Sequence, residues 1–228
     1  MNFYNNTLKG RKYLNIINKD KRFFTKKFIL NNPGMLVGDK SFFRFLKLFE
    51  LFESQKNVKG DIVEFGIWNG NNLFTIKKII DFLKQKKNII GFDNFSGFPN
   101  PQSLKNNKKG KYIGRPELIN YIKKFFNFKN ILIINDDILN LDKYSKKFKK
   151  ISFIYIDCNI YEPVKKILET LDKKISKGGI IAFDEGLDSN NKGEGKAMLE
   201  FYKKNKKKYK VIKIKKNYQP DVILKKIK

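Results

Sequence analysis

"GDIVEFGIWNGNN", residues 60–72, is the stretch whose reading decides the fold. An apolar run, Ile62-Val63-Glu64-Phe65, stops at Gly66. A short loop with the lone tryptophan, Trp68, runs to Gly70, and helix-compatible residues follow from Leu73. A strand, a tight glycine turn and a helix in that order form the first unit of an α/β sheet. An acid inside the apolar run, just before glycines that open a turn, points to a ligand at that turn.

The same rhythm continues downstream. "NIIGF" precedes a Gly/Pro/Asn/Lys-rich loop from 94 to 114, then a helix over 116–126. "NILIIN" leads to a short helix near 138–148, "ISFIYI" to a helix over 162–174, and "GGIIAF" closes the series. Continuous β-branched runs without alternation suit parallel strands buried on both faces, and intervening helices imply right-handed crossovers. The tail, "YKVIKIKK" then "DVILKKI", predicts an antiparallel hairpin at the sheet edge. Upstream, "SFFRFLKLFELFE" places Phe42, Phe45, Leu46, Phe49 and Phe52 at helical spacing, with Ser41 as an N-cap. The expected fold is a Rossmann-like, doubly wound, mostly parallel seven-stranded sheet with a C-terminal hairpin and an N-terminal helical extension. Residues 1–32 form a basic extension, with short helices at "YLNIIN" and "RFFTKKFIL", and 33–228 form the single domain.

Composition narrows the chemistry. The 228 residues contain no histidine, which removes Ser-His-Asp and Cys-His catalysis and imidazole as base or metal ligand. One cysteine, Cys158, excludes a disulfide framework and a Cys-rich zinc site. No apolar run reaches the ~20 residues of a membrane span, and the N-terminus lacks a signal-peptide pattern, so a cytoplasmic protein is expected. The formal charge of +28 favours anionic partners. Only Arg11, Arg22, Arg44 and Arg115 carry guanidinium groups, and the other basic residues are lysines. That argues against specific nucleic-acid reading, which draws on arginine's bidentate fork, and for a solvated lysine coat.

Ligands of open α/β sheets bind beyond the carboxyl ends of the strands. Every expected strand carries an acid there: Glu64, then Asp93, then Asp136 and Asp137, then Asp157, then Asp184 and Glu185. Singly, each such residue reads equally as a helix N-cap; together they read as a site. The glycine spacing matches neither a dinucleotide fingerprint nor a P-loop. An acid beside Gly66 and Gly70 repels phosphate and accepts from an ammonium, while Asp93 is placed for ribose hydroxyls. S-adenosylmethionine carries both groups, and Asp136 or Asp137 would then lie near its adenine. Asp157, Asp184 and Glu185 make a second group, which needs a proton or a cation to offset its repulsion. Oxygen ligands without imidazole or thiolate select Mg²⁺, Mn²⁺ or Ca²⁺.

With these residues in view, "GDIVEFGIWNGNN", "GFDNFSGFP", "YIDCNIYEPVKKILETLDKKISKGGIIAFDEG" and "GEGKAMLEF" resemble, in order and spacing, the macrocin O-methyltransferase (TylF-type) family. The likeness runs from about Pro33 to about Phe201. It implies a class I S-adenosylmethionine-dependent enzyme that methylates sugar hydroxyls with Mg²⁺. Glu64, Gly66 and Gly70 would hold the methionine end and Asp93 the ribose. Asp157, Asp184 and Glu185 would hold the metal. Two positions depart from the family pattern: Asn159 stands where its Asp-x-Asp-x-Tyr segment has a second acid, and Glu185 replaces an Asp.

The expected reaction is transfer of a methyl group to an activated hydroxyl, with Asp157 as the base and Lys165 or Lys166 as alternatives. The expected acceptor is a small molecule or glycan, and the charge favours an anionic one. Two rival readings use the same fold: an RNA methyltransferase whose lysine coat binds substrate, and a noncatalytic binding module. The aromatic N-terminal segment is a candidate contact for a homodimer, or a lid.

Overall fold

The structure, a computed structural model, describes residues 25, 28, 31, 34, 37–98, 112–187, 192–214 and 218–228. The expected N-terminal helices lie almost wholly outside the described residues, as does most of the loop from 94 to 114. The chain divides into two compact units, Met1–Lys47 and Leu48–Lys228.

The elements follow the expected rhythm. They are α1 (Asp39–Ser54), β1 (Asp61–Phe65), α2 (Asn71–Phe82), β2 (Ile89–Asp93), α3 (Pro116–Phe125), β3 (Ile131–Asn135) and a 3-10 stretch (Ile138–Lys147). Then come β4 (Ile151–Ile156), α4 (Tyr161–Leu171), β5 (Ile175–Phe183), α5 (Lys192–Asn205), β6 (Tyr209–Lys213) and β7 (Val222–Lys226). The seven strands lie in the order β3-β2-β1-β4-β5-β7-β6. β1 to β5 are parallel, and β7 runs antiparallel to both β5 and β6. The order reverses at β1, where β2 pairs on one side and β4 on the other.

Period-two alternation divides the core into two layers. Val63, Phe65, Phe92, Ile154, Ile156, Ile181 and Phe183 face the layer holding Val164, Ile167 and Leu171 of α4 and Met198 of α5. Ile62, Ile89, Phe153, Tyr155, Ile180 and Ala182 face the layer holding Leu73, Ile76 and Ile80 of α2. The register pairs Glu64 with Gly91 on one side and with Tyr155 on the other, so Glu64 belongs to this second face.

Beneath the sheet, at the amino ends, buried polar groups close the structure. Lys87 Nζ donates to Val58 O (2.5 Å) and to Ser152 Oγ (2.9 Å), and Gln55 Nε2 donates to Gly178 O (3.0 Å) and Ser152 O (3.2 Å). Burial lowers the Lys87 pKa, partly countered by the Asp61 charge. These groups tie the segment before β1 to β4 and β5 at this end of the sheet.

The expected stripe on α1 is corrected. Its buried residues are Leu48, Leu51 and Phe52, with Phe52 packed on Phe153 at 4.6 Å between ring centroids. Phe42 and Leu46 are exposed. Nor is Ser41 the cap: the helix already starts at Asp39, and Phe42 N donates to Gly38 O (2.9 Å). Three phenylalanines at the right spacing obscured a narrower stripe set by leucines.

Candidate active site

The carboxyl edge is built by each strand end hooking its neighbour. Gly66 N donates to Phe92 O (2.9 Å), Asp157 N to Phe65 O (2.9 Å), Asp184 N to Ile156 O (2.9 Å) and Asp136 N to Asp93 O (3.2 Å). Acids from all five parallel strands therefore gather along one edge. Gly66 is the tightest point. Its φ is +81°, and a Cβ there would meet the Asp157 carbonyl oxygen at 2.0 Å. Glycine is required for the β1 loop to pass so close to the β4 loop.

Glu64 is buried at 1% exposure, and Asn72 Nδ2 donates to its Oε1 (3.1 Å). Gly70, at φ +80°, opens α2 with no side-chain cap, so the first-turn amides of α2 point out at this edge. Asn72 is itself buried, and its Oδ1 has no hydrogen-bond partner among the described residues. A buried carboxyl group and an amide carbonyl beside open helix amides suit a zwitterion: ammonium to the acceptors, carboxylate to the amides.

Asp93 organises the adjoining loops. Its Oδ2 accepts from Trp68 N (2.8 Å) and its Oδ1 from Phe95 N (2.7 Å). Burial raises its pKa, and the surrounding backbone amides partly counter that. Trp68 lies at φ +46°, its Nε1 donates to Ile113 O (3.2 Å), and its ring meets Tyr112 edge-on at 6.0 Å. Half-exposed, these two rings stand beside Asp93.

At the end of β3, Asp136 accepts from Asp137 N (2.7 Å), Asn140 Nδ2 (2.9 Å) and Tyr144 OH (2.8 Å). Those bonds hold its carboxyl below the usual range, the Asn140 and Tyr144 contacts leading. Asp137 caps the 3-10 stretch through Leu139 N (2.9 Å). Both acids sit at the expected edge, and both have local structural work.

The second group lies at the ends of β4 and β5. Ile156 pairs with Phe183, so Asp157 and Asp184 leave adjacent strands side by side. Asp184 is buried and accepts from Tyr155 OH, which lies on the same face as Glu64. Glu185 Oε1 accepts from Gln219 Nε2 (3.2 Å). Among the described residues, no three acidic or thiol side chains form a group able to hold a metal. Asp157 and Asp184 follow the ends of adjacent strands, while Glu185 is engaged by the hairpin loop. Asn159 sits at φ +59°, a conformation asparagine tolerates, and its Oδ1 is buried without a hydrogen-bond partner among the described residues. Lys166 is paired with Asp142, and Lys165 lies near Glu169 at 4.0 Å; both cations have partners away from the strand ends.

Sequence reasoning missed Glu194. It is fully buried, at 0% exposure. Its Oε2 accepts from Asn159 N (3.1 Å) and Cys158 N (3.3 Å), and its Oε1 from Glu185 N (3.1 Å). Burial, then the Asp184 charge, pushes its pKa up to about 8 against the pull of those amides. The Cys158 thiol is pushed well up as well, by burial and then by Glu194, Asp157 and Asp93. The available signal was an acid flanked by glycines at a helix start, in "KGEGKAM".

The chain is similar to solved methyltransferases. CalS11, a calicheamicin methyltransferase, is 21% identical with a TM-score of 0.75, over 94% of this chain and 90% of that one. An apo structure of CalS11, described as a TDP-rhamnose 3'-O-methyltransferase, is 19% identical at 0.75, over 96% and 95%. The O-methyltransferase NovP is 17% identical at 0.63, over 82% and 80%. At these identities the likeness establishes the fold. No curated protein matches the chain. Residues 32–218 match the family described as macrocin-O-methyltransferase (TylF), and the chain belongs to that family of S-adenosylmethionine-dependent O-methyltransferases.

Proposed function

We propose that this enzyme methylates a hydroxyl of a sugar, carried by a glycan, a sugar nucleotide or a glycosylated natural product. The observation that carries the reading is the gathering of Glu64, Asp93, Asp157 and Asp184 at one sheet edge beside an uncapped helix start. The sugar as acceptor is supported by the family and by CalS11, described as acting on TDP-rhamnose. Glu64, Gly66, Gly70 and the α2 amides hold the methionine end, Asp93 takes the ribose, and Asp136 and Asp137 border the adenine.

Asp157 is proposed as the base. It accepts the acceptor's hydroxyl proton as the oxygen attacks the methyl carbon; the carbon–sulfur bond breaks, leaving S-adenosylhomocysteine as a neutral thioether. Alignment of that oxygen against the methyl supplies much of the acceleration. Magnesium dependence belongs to the same proposal. Its support is the donor chemistry of Asp157 and Asp184, with the buried Asn159 Oδ1 as an amide oxygen. Bound there, the ion would acidify the acceptor hydroxyl.

The test is Asp157→Ala assayed with labelled donor against a sugar-nucleotide panel and a bulk RNA pool, with and without chelator. Turnover should fall at least about 100-fold, the scale of a lost general base. S-adenosylhomocysteine affinity, read by the fluorescence of the lone Trp68, should stay within about tenfold. Full turnover in the variant removes Asp157 as base. Transfer to RNA alone replaces the sugar reading.

A further inference from the structure

Glu194 is a fully buried carboxylate at the carboxyl edge that the proposed chemistry does not use. It comes from the first turn of α5, yet its carboxylate accepts from residues outside that helix. Its two oxygens divide between two loops: Oε2 takes the amides of Cys158 and Asn159 after β4, and Oε1 takes the amide of Glu185 after β5. The glycines on either side permit this approach. A Cβ on Gly193 would meet Asn159 O and Tyr161 N, each at 2.7 Å, and one on Gly195 would meet Gly186 O at 2.4 Å. The helix start is therefore wedged between the two loops, one glycine against each, with the carboxylate bridging them.

The loops so joined carry Asp157 on one side and Asp184 on the other. The strands pair only as far as Ile156 and Phe183, and beyond that the Asp184 N to Ile156 O bond is the one direct backbone link between them among the described residues. We propose that Glu194 is a positioning residue, a two-armed carboxylate clamp that sets the spacing of the Asp157 and Asp184 loops. Placing so many acids together is costly; what this side chain supplies is an acceptor oxygen on each of two arms, one for each set of amide donors, which a carboxamide lacks. The catalytic consequence rests on the proposed methyl transfer, whereas the clamp itself does not.

Two measurements keep these apart. Hydrogen exchange on the full chain reads the clamp without activity. In the wild type the amides of Cys158, Asn159 and Glu185 should exchange at least about tenfold more slowly than those of exposed loops. Glu194→Gln keeps the size but places an acceptor oxygen on only one arm, so exchange should speed up at least tenfold in the 157–160 or the 184–187 segment. Glu194→Ala should release both. Fast exchange of these amides in the wild type, or unchanged protection in Glu194→Gln, overturns the clamp. The kinetic arm uses Glu194→Gln at matched folded concentration. kcat should fall about 10- to 100-fold while acceptor KM and S-adenosylhomocysteine affinity change less than about threefold. An activity loss that only tracks the unfolded fraction overturns the positioning role. A wild type that methylates no sugar leaves the exchange result standing and removes only the enzymatic reading.

Discussion

Gly66 shows how much a single position controls. Its backbone is left-handed at φ +81°, and a Cβ would overlap the Asp157 carbonyl at 2.0 Å. Gly66→Ala must move the β1 loop away from the β4 loop. The expected cost is roughly 3 kcal/mol, combining strained backbone with a steric clash, together with loss of S-adenosylhomocysteine binding. A urea midpoint and binding close to wild type would show that the loops do not meet as described. Lys87, at the opposite edge, gives a pH signature. Burial lowers its folded pKa from the model-compound 10.5, so between that lowered value and 10.5 the unfolded chain binds more protons than the native one. Stability from this group therefore rises with pH across that window and is flat well below it. The stability of wild type minus that of Lys87→Met, from denaturant midpoints at several alkaline pH values, should rise with pH. A difference that is flat or falls would mean that Lys87 is solvated.

At the scale of elements, the inner face of α4 is fully buried, with Val164, Ile167 and Leu171 all at 0% exposure. Ile167→Ala should cost roughly 2–5 kcal/mol through lost transfer energy and a residual cavity, read as a lowered urea midpoint with unchanged slope; a cost below about 1 kcal/mol would mean that the layer collapses around the gap. Strands and helices of this kind were legible because buried parallel strands are uninterrupted β-branched runs. "ISFIYI", buried at every position, admits little else once flanked by helical segments, whereas "ILIIN" reads the same way yet lies at the sheet edge with only Ile131 and Ile134 buried. The 3-10 character of Ile138–Lys147 was missed, although Ile138, Leu141 and Tyr144 recur every three residues and all meet the core. For the site, Glu64, Asp93, Asp157 and Asp184 could be named because strand-end position alone locates them. Glu194 could not. It lies on a helix start that the flanking glycines mark in the sequence, but which loops it meets is set by sheet order and by the close contacts of those glycines, which no local pattern reveals. Asp137 shows the converse: an N-cap and a ligand acid look alike until Leu139 N is seen on its Oδ1.

For the whole molecule, the charge of +28 carries consequences that no single contact does. Nearly all of it is lysine, and basic residues outnumber acidic ones 50 to 22, so most ammonium groups have no carboxylate to pair with. A field of solvated ammonium groups attracts polyanions without reading their sequence. Binding to single-stranded RNAs of different sequence should thus be equal within about threefold and weaken together by about tenfold or more between ~50 and ~200 mM salt. The same field bears on the proposed acceptor. A sugar nucleotide carries a diphosphate, and its approach is steered over distances comparable to the Debye length of about 10 Å at 0.1 M salt. An anionic acceptor should therefore show an apparent KM that rises with ionic strength at nearly constant kcat, while a neutral glycoside bearing the same sugar should show none of that rise. The measurement is initial rate against acceptor concentration at several salt concentrations for both acceptors. Equal salt dependence for the two would mean that salt acts on the fold or on donor binding. A flat KM for the sugar nucleotide would mean that the lysine coat does not act at the site and that the acceptor is selected by contacts near Asp157 alone.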